Sequence, residues 1–394
     1  MSSGKSPFTL SILGPFSPKA IVALDDSSVE GYFSTWSEAS PINAQIRNLS
    51  AHVDSIVAMT FSRTCKEIQI SQFNNITFFV LPLRKVKHCV LDNYKVERNL
   101  GRKILEGFPI DLVHAHWTYE YALLALDFDR SALITVHDNP WRVFRFFRDK
   151  LRFYKLFQAL LVRSRCNQSN LVFVSNALAK SWRKNLIYLN KLTVIPNFNR
   201  MKPISCLPSR KKQNFLAMGN SSRLKNIETL LSAFQLSLQR FPDSILHLCG
   251  DGLEYGSTLE QTWRHKVGDS VKWHGQVDLN ELQSLLLEVS IYIHPSLEET
   301  QGMAVVEAMS LGLPVIVHEK IPALKETCGE AAFYVDCTSP QKLNAKICEL
   351  LASDLDLKKI AERNINQVNI IFDTQKTVEK TLSLYKSRNK LRND

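Results

Sequence analysis

The sequence lacks the features that mark several classes of protein. No apolar run approaches the roughly 20 residues that a membrane-spanning helix needs. The eight cysteines include no C-x-x-C pair and no metal-ligand spacing, so we expect them to be reduced thiols. The first residues, MSSGKSPFTLSILGPFSP, contain one lysine and early prolines, and they fit neither a secretory signal nor a transit peptide. We therefore expect a cytoplasmic protein, or one that is peripheral on the inner face of the cytoplasmic membrane.

Acidic residues are also scarce relative to basic ones. The chain has 38 acidic and 49 basic residues, which gives a net charge of +11 and favours an anionic partner. Between Trp141 and Arg165 the only acid is Asp149, while basic and aromatic side chains recur every three to four residues. This spacing predicts an amphipathic helix over 141–165. A basic helix with an aromatic face is typical of proteins that bind anionic membrane surfaces. A helix that packs into its own domain and exposes a basic face would give the same pattern.

The chain is long enough for two domains. It has 394 residues, of which 45% are hydrophobic and 22% charged, as in ordinary globular proteins. Apolar β-like runs alternate with helical patterns, and this predicts an α/β fold with a parallel sheet in each half. The runs in the first half are 8–13, 54–59, 76–81, 111–115, 132–136, 171–174 and 192–195. Those in the second half are 214–218, 245–249, 271–273, 290–294, 313–317 and 332–335.

Proline and basic residues separate the two series. We predict a first domain over 1–198, a linker over 199–213 and a second domain over 214–372. A last helix is predicted over 373–394, with Asp373 as its cap. A further helix is predicted over 227–241, where apolar residues form one buried stripe.

The most informative segment is HPSLEETQGMAVVEAMSLGLPVIV, which runs from His294 to Val317. An apolar strand leads into a loop that contains Glu299, and a helix follows that contains Glu307. The backbone N–H groups of Gly302 and Met303 lie near the start of this helix, where anions bind. The segment therefore predicts a site for a nucleotide diphosphate, with Glu307 free to accept hydrogen bonds from ribose hydroxyls.

This segment resembles the E-x7-E signature of the family 4 retaining glycosyltransferases. The flanking residues agree with the family pattern as well: Pro295, Ser296, Glu299, Gly302, Glu307, Ala308, Gly312, Pro314 and Val315. The resemblance implies the GT-B fold, in which two Rossmann-like domains with parallel sheets face a central cleft and the C-terminal helix crosses back to the first domain. It also implies that Glu299 orients the donor sugar and that Glu307 binds the ribose.

A second family position is MGNSSRLKN at 218–226, with Gly219 and Lys225 six residues apart. The resemblance assigns Lys225 to the donor phosphates, where an ammonium group offsets the charge of the leaving diphosphate. The family often has arginine after glycine, whereas this chain has Asn220. Arg223 is the candidate for the missing cation. The glycine-containing loop CGDGLEYG at 249–256 is interpreted as structural.

The first half contributes ITVHDNPW, in which His137 follows a strand. The resemblance makes His137 the residue that points across the cleft at the donor sugar. His114 and His116, in DLVHAHW, end the preceding strand and are expected to border the same cleft. We expect no metal, because no carboxylate or cysteine completes the histidines at a recognisable spacing. The D-x-D of Asp127 and Asp129 precedes a strand, whereas a metal-binding pair should follow one.

We therefore expect a retaining, metal-independent glycosyltransferase without a cofactor. Its co-substrate would be a nucleotide-diphosphate sugar of the UDP or GDP type, and its acceptor a saccharide or lipid-linked saccharide of cell-surface polysaccharide or lipopolysaccharide assembly. The catalytic candidates are His137, Lys225 and Glu299. The donor-binding candidates are Gly219, Arg223, Lys225, Gly302, Met303 and Glu307.

Two other functions stay open at this point. A GT-B sugar-nucleotide epimerase would use the same nucleotide site and isomerise the donor. A non-catalytic protein that keeps the fold and binds an anionic surface would account for the charge, but not for the glutamates, Lys225 and His137 at matching positions. Nucleic acid is not expected as a partner. The products formed from nucleotide sugars distinguish the three functions.

Overall fold

The computed structural model describes residues 8–22, 40–167, 170–186, 192–206 and 208–393. The chain divides into two units, Met1–Arg200 with Thr374–Asp394 and Met201–Asp373. Residues 1–7, interpreted above for targeting signals, lie outside the described part. Among the described residues no helix is both long and apolar enough to span a bilayer.

Strands and helices alternate along both units. The strands are β1 Thr9–Leu13, β2 Ser55–Ser62, β3 Gln69–Phe73, β4 Ile76–Pro82, β5 Leu112–His116, β6 Leu133–Val136, β7 Leu171–Phe173, β8 Thr193–Val194, β9 Asn214–Met218, β10 Ile245–Cys249, β11 Val271–Gly275, β12 Ile291–His294, β13 Val315–His318 and β14 Phe333–Val335. The first eight helices are α1 Pro18–Val22, α2 Ser40–Ser50, α3 Val86–Leu91, α4 Lys95–Leu105, α5 Glu120–Phe128, α6 Pro140–Phe147, α7 Lys150–Arg165 and α8 Asn176–Leu186. The others are α9 Ile227–Leu238, α10 Thr258–Val267, α11 Leu279–Glu288, α12 Met303–Ser310, α13 Pro322–Cys328, α14 Pro340–Ala352, α15 Leu357–Phe372 and α16 Thr374–Asn393.

The first unit is built on a sheet of order β3-β4-β2-β1-β5-β6-β7-β8. Neighbouring strands are parallel except at β3 and β4, which pair antiparallel. The chain order reverses on either side of β1, which lies between β2 and β5. Ligands of open α/β sheets bind beyond the carboxyl ends of the strands at such a reversal. In this unit the reversal brings together the residues that follow β1 and β5.

The second unit repeats this plan with the order β11-β10-β9-β12-β13-β14, all parallel. Its reversal lies between β9 and β12, where Leu216 is opposite Tyr292. The core beneath the sheet includes Leu230, Leu231 and Phe234 of α9, which are fully buried as the predicted stripe requires. The helix ends at Leu238 rather than at residue 241.

The structure changes the predicted helix over 141–165. Two helices, α6 and α7, cover this segment, and Arg148 between them has a left-handed backbone with φ of 54°. The Asp149 side chain accepts a hydrogen bond from the Arg152 amide at 2.9 Å, so it caps the start of α7. The only acid of the basic segment therefore marks the helix boundary rather than a solvated helix face.

Helix α16 is part of the first unit. Its residues Val378 and Tyr385 are buried in the same core as Leu10 of β1. The Tyr385 hydroxyl lies 2.7 Å from Nδ1 of His114 on β5 and also accepts a hydrogen bond from Gln45 Nε2 at 3.3 Å. The last helix is thus connected to the central strands of the first sheet by both apolar and polar contacts.

Candidate active site

Glycines shape the loop that follows β9. A Cβ on Gly219 would lie 3.1 Å from Cγ of Lys225, so the missing side chain makes room for the aliphatic stem of the lysine. Gly250, after β10, has φ of 133°, and a Cβ there would lie 1.5 Å from the carbonyl oxygen of Gly219. The two loops therefore touch through backbone, and Gly250 has a structural part in positioning Lys225.

Lys225 and Glu299 meet at the reversal of the second sheet. The Lys225 ammonium donates a hydrogen bond to Oε1 of Glu299, and the two residues come from the loops after β9 and β12. His294, the last residue of β12, places its Nε2 2.9 Å from the same oxygen. The Tyr292 hydroxyl lies 3.1 Å from Nδ1 of His294. Four polar groups thus form one connected chain at the carboxyl ends of the strands.

This environment sets the ionisation of Glu299. Burial alone would raise the pKa of this carboxyl, but the charge of Lys225 and the hydrogen bond from His294 outweigh burial and hold the pKa well below its usual range. Burial lowers the pKa of His294, against the opposing effect of Glu299. Glu299 is therefore a carboxylate at neutral pH, and His294 is a neutral imidazole.

Helix α12 begins beside this cluster. Gly302 precedes it with φ of 78°, and a Cβ there would lie 2.6 Å from Cδ2 of Leu324, so both backbone conformation and space favour glycine. The first N–H groups of a helix have no partner within the helix. The amides of Gly302 and Met303 belong to this N-terminal end, where the helix dipole also favours an anion.

Glu307 lies one turn further along α12 than Met303. Its side chain is buried, with 2% of its surface exposed, whereas Met303 is half-buried. Burial, followed by the negative charges of Glu307 and Glu299, raises the pKa of Tyr292 well above its usual range. Both glutamates of the sequence signature thus act on Tyr292 of β12.

The other candidate cation, Arg223, lies in the loop between Gly219 and Lys225. Its side chain is exposed, as is that of Asn220. The Asn220 Oδ1 accepts a hydrogen bond from the Ser222 amide at 3.1 Å, so this residue shapes the turn. The structure brings Lys225 and Glu299 together and leaves Arg223 on the solvent side of the same loop.

His137 of the first unit directly follows β6 and contacts two rings, those of His116 and Trp117. Its Nε2 lies 2.9 Å from Nδ1 of His116, and its ring centroid lies 4.4 Å from that of Trp117. Burial, with a smaller contribution from His114, lowers the pKa of His137 to about 3. The residue is therefore a neutral hydrogen-bonding group at neutral pH.

His114 differs from the expectation that it borders a cleft. It is buried, and both ring nitrogens have hydroxyl neighbours at 2.7 Å, Tyr385 at Nδ1 and Thr135 at Nε2. Residues two apart on a strand share a face of the sheet, so His114 and His116 stack within the unit. The sequence pattern H-A-H could not show that α16 and Gln45 enclose the first ring.

The D-x-D residues have structural contacts. Asp127 accepts hydrogen bonds from Arg98 of α4 at 2.6 Å and from Arg165 of α7 at 2.5 Å. Asp129 accepts hydrogen bonds from the amide and the hydroxyl of Ser131. Within the described ranges no three histidine, cysteine, aspartate or glutamate side chains form a cluster suited to a metal.

Sequence reasoning missed His294, Tyr292 and the contact of His116 with His137. The missed signal is the period of two in IYIH, because Tyr292 and His294 project from the same face of β12. Both look like ordinary strand residues in the sequence. Only the fold shows that their polar atoms point along the strand towards Glu299.

Two family models match the chain: Glycosyltransferase Family 4 over residues 49–198 and Glycosyl transferases group 1 over residues 198–367. The chain belongs to the family 4 glycosyltransferases. The site residues from Gly219 to Glu307 lie within the second match, and His137 lies within the first. The resemblance drawn from the sequence is thereby confirmed at the level of the family.

Relatives and solved structures agree with this assignment. The O-antigen chain mannosyltransferase RfbU of Salmonella typhimurium is 28% identical over 210 residues, which cover 52% of this chain and 57% of that protein. The chain thus spans little more than half the length of the first curated relatives that it matches. Sucrose-phosphate synthase from Thermosynechococcus elongatus has a similar fold, with a TM-score of 0.73, 16% identity and coverage of 96% of this chain and 98% of that one.

A second solved structure is Anabaena HepE in complex with UDP and glucose, with a TM-score of 0.69 and 15% identity. The likeness covers 96% of this chain and 99% of HepE. At these identities the structural matches establish the fold alone. The predicted α/β fold of the GT-B class is confirmed.

Proposed function

We propose that this family 4 glycosyltransferase transfers a sugar from a nucleoside diphosphate to an acceptor hydroxyl, with retention of the anomeric configuration. The observation that carries the proposal is the contact of Lys225 with Glu299 beside the N-terminus of α12. It combines a cation, a carboxylate and helix amides at the strand reversal of a Rossmann-like sheet. These are the groups that a sugar diphosphate needs.

Each group has a distinct part in the proposed reaction. When the bond between the sugar and the diphosphate breaks, negative charge grows on the leaving phosphate, and Lys225 with the Gly302 and Met303 amides stabilises it. Glu299 accepts hydrogen bonds from the sugar hydroxyls, and Glu307 accepts them from the ribose. Since Lys225 and the helix amides supply positive potential, we propose that no resident metal is needed.

Retention is proposed to follow a front-face route. Glu299 is already bound by Lys225 and His294, which suits a carboxylate that orients the sugar more than one that attacks its anomeric carbon. In the front-face route the acceptor hydroxyl approaches on the side that the diphosphate leaves, and a phosphate oxygen takes its proton. We assign His137 a hydrogen bond to the donor sugar, which its neutral ring makes without adding a charge.

For the acceptor we propose a saccharide or lipid-linked saccharide of cell-surface polysaccharide or lipopolysaccharide assembly. The similarity to the O-antigen mannosyltransferase supports this class of acceptor. A donor of the UDP or GDP type is supported by the helix-end phosphate site and by the buried carboxylate of Glu307.

We also propose that the first unit attaches to an anionic membrane surface. Helix α7 exposes Phe153 by 60%, Phe157 by 52% and Leu160 by 43%, positions that share one helix face. The exposed basic residues Arg145, Arg148 and Lys150 precede this stripe in the sequence. An apolar stripe next to exposed basic side chains suits the boundary between acyl chains and anionic headgroups.

A neighbouring turn extends the apolar surface. The Tyr154 hydroxyl of α7 donates a hydrogen bond to Oδ1 of Asn93 at 2.7 Å, which ties α7 to the turn between α3 and α4. On either side of Asn93, Leu91 is 84% exposed and Val96 is 53% exposed. Three helices of the unit, α3, α4 and α7, thus contribute apolar side chains to the proposed membrane surface.

Sedimentation with vesicles tests the attachment. We expect binding to vesicles with anionic lipid at low salt, weaker binding at high salt, and a loss of about tenfold or more in the double variant Phe153→Ser and Phe157→Ser. Ile70→Ser is the matched control, because Ile70 is 64% exposed on β3 of the same unit. If the double variant sediments like the wild type, the assigned surface is wrong.

A panel of UDP and GDP sugars tests the transferase proposal. The protein is incubated with each donor and a saccharide or lipid-linked acceptor, and the glycosylated product, free nucleotide and isomerised donor are measured. Product of retained configuration supports the proposal. Isomerised donor without transfer identifies an epimerase, and the absence of nucleotide binding in a thermal-shift assay contradicts both enzymes.

A further inference from the structure

A buried hydrogen-bonded chain leads along β12 to the signature glutamate. It runs from the Tyr292 hydroxyl to Nδ1 of His294 over 3.1 Å, and from Nε2 of His294 to Oε1 of Glu299 over 2.9 Å. Tyr292 is fully buried and His294 is 1% exposed. Solvent therefore does not compete for the bonds that this chain makes.

The chemistry of the three groups determines where each proton lies. A carboxylate only accepts hydrogen bonds, so Nε2 of His294 carries a proton and donates it to Glu299. Because burial lowers the pKa of His294, its ring is neutral and Nδ1 must be an acceptor. The Tyr292 hydroxyl consequently donates to Nδ1. The imidazole has a single tautomer with both nitrogens satisfied.

Both partners of Glu299 contact the same oxygen. Lys225 and His294 each donate to Oε1, and neither contact uses Oε2. A carboxylate fixed through one oxygen has its second oxygen in a defined direction. Glu299 is partly exposed, with 13% of its side-chain surface accessible, whereas His294 and Tyr292 are not.

We propose that His294, backed by Tyr292, is a positioning residue that fixes Glu299 through Oε1 and thereby presents Oε2 to a hydroxyl of the donor sugar. The proposal rests on the proposed function, and it adds two residues outside the signature glutamates. His294 does not touch the sugar. It determines which carboxylate oxygen does.

Kinetics of two variants test this role. His294→Leu removes the N–H donor, and we expect kcat to fall about tenfold to a hundredfold because misplaced catalytic groups lose rates of that order. The inhibition constant of UDP or GDP should stay within about twofold, since His294 is not among the residues that we propose to bind the nucleotide. His294→Gln restores an N–H donor near the position of Nε2, and it should recover a large part of kcat.

A double-variant comparison separates positioning from a general structural role. If His294 acts only through Glu299, His294→Leu should cause no further loss of kcat in a Glu299→Ala background, in which no side-chain oxygen is left for His294 to hold. A multiplicative further loss would overturn the proposal. An equal loss of UDP or GDP affinity and of turnover in His294→Leu would overturn it as well, because the residue would then support the site as a whole.

A spectroscopic measurement keeps the inference testable without turnover. The ¹⁵N chemical shifts of the His294 ring should show the proton on Nε2 in the wild type, and Tyr292→Phe, which removes a single oxygen, should perturb Nδ1. A proton on Nδ1 in the wild type would contradict the assigned chain even where His294→Leu fails to fold. If no nucleotide sugar serves as donor for the wild type, the proposed function fails. The measured tautomer of His294 still shows whether the hydrogen bonds from Tyr292 through His294 to Glu299 are present.

Discussion

Lys225 and Glu299 are 74 residues apart in the sequence, and their side chains form a hydrogen-bonded ion pair. The pair joins the loops after the two strands at which the order of the second sheet reverses. Neither residue is conspicuous alone, because lysine and glutamate are common on surfaces. Their contact makes the loop after β9 and the loop after β12 parts of a single site.

Lys225→Ala should lower kcat by about a hundredfold to a thousandfold at saturating donor, because the leaving diphosphate loses a cation. Steady-state kinetics with the best nucleotide sugar would measure the loss. Lys342→Ala is the matched control: Lys342 also pairs with a carboxylate of the second unit, Asp336, but outside the site. Full activity of Lys225→Ala under saturating donor would contradict the assignment.

Glu307→Gln should raise the KM of the donor about tenfold while kcat at saturation changes little. The substitution keeps the size of a buried side chain and removes the charge that we expect to bind the ribose, and a charged hydrogen bond contributes about 1.5–3 kcal/mol. Glu362→Gln, on the exposed face of α15, serves as the control. An unchanged donor KM in Glu307→Gln would remove Glu307 from the nucleotide site.

Gly250→Ala should disrupt the loop that supports Lys225. An added Cβ would lie 1.5 Å from the Gly219 carbonyl oxygen, so the two loops must separate. We expect a lower melting temperature and weaker binding of UDP or GDP. Gly256→Ala is a matched control, because Gly256 also has a positive φ but no atom lies within 4 Å of its Cβ position. Equal effects of the two variants would show that backbone strain, and not the contact with Gly219, is responsible.

The stability of the protein should fall as the pH drops below about 6.5. In the unfolded chain His114 has a pKa near 6.5, whereas burial lowers the pKa to about 3 in the folded protein. Between these values the unfolded state binds a proton that the folded state excludes, which costs about 1.4 kcal/mol per pH unit. Denaturant unfolding at pH 7, 6 and 5 would measure this dependence.

His114→Gln should make the same pH dependence shallower by about one proton. His88→Gln, which changes an exposed histidine of the same unit, should leave it unchanged. The neighbouring His116 and His137 also have pKa values lowered mainly by burial, so part of the dependence will persist in His114→Gln. An unaltered slope in His114→Gln would show that its ring is protonated or hydrated in the folded state.

The strands of both sheets are predictable because most of them are continuous apolar runs buried on two faces. Strand β3 is the exception. Its sequence QISQF alternates half-buried with exposed positions at an antiparallel sheet edge, and its three polar residues resemble those of a loop. The break between α6 and α7 was missed for another reason. The spacing of basic and aromatic residues continues across Arg148, whereas the helical backbone is interrupted there by a left-handed φ.

The site shows a similar division. The roles of Glu299, Glu307 and Lys225 could be predicted, because short local motifs carry the resemblance to the family. The fold then explains why motifs that are distant in the sequence meet. The neighbours of His114 could not be predicted, because Tyr385 lies 271 residues further along the chain. His294 could not be singled out either, since a histidine in a buried strand is informative only when the direction of its ring nitrogens is known.

The ion pairs of Asp127 have a consequence for the proposed membrane surface. Arg165 at the end of α7 and Arg98 of α4 both bind Asp127, while Tyr154 near the start of α7 binds Asn93. Helix α7 is therefore held at two points along its length, so we expect it to keep its place in the first unit when its stripe enters a bilayer. If the first unit attaches through this stripe, α7 would meet the bilayer in the orientation that α5 and the turn before α4 give it, and not as a separate arm.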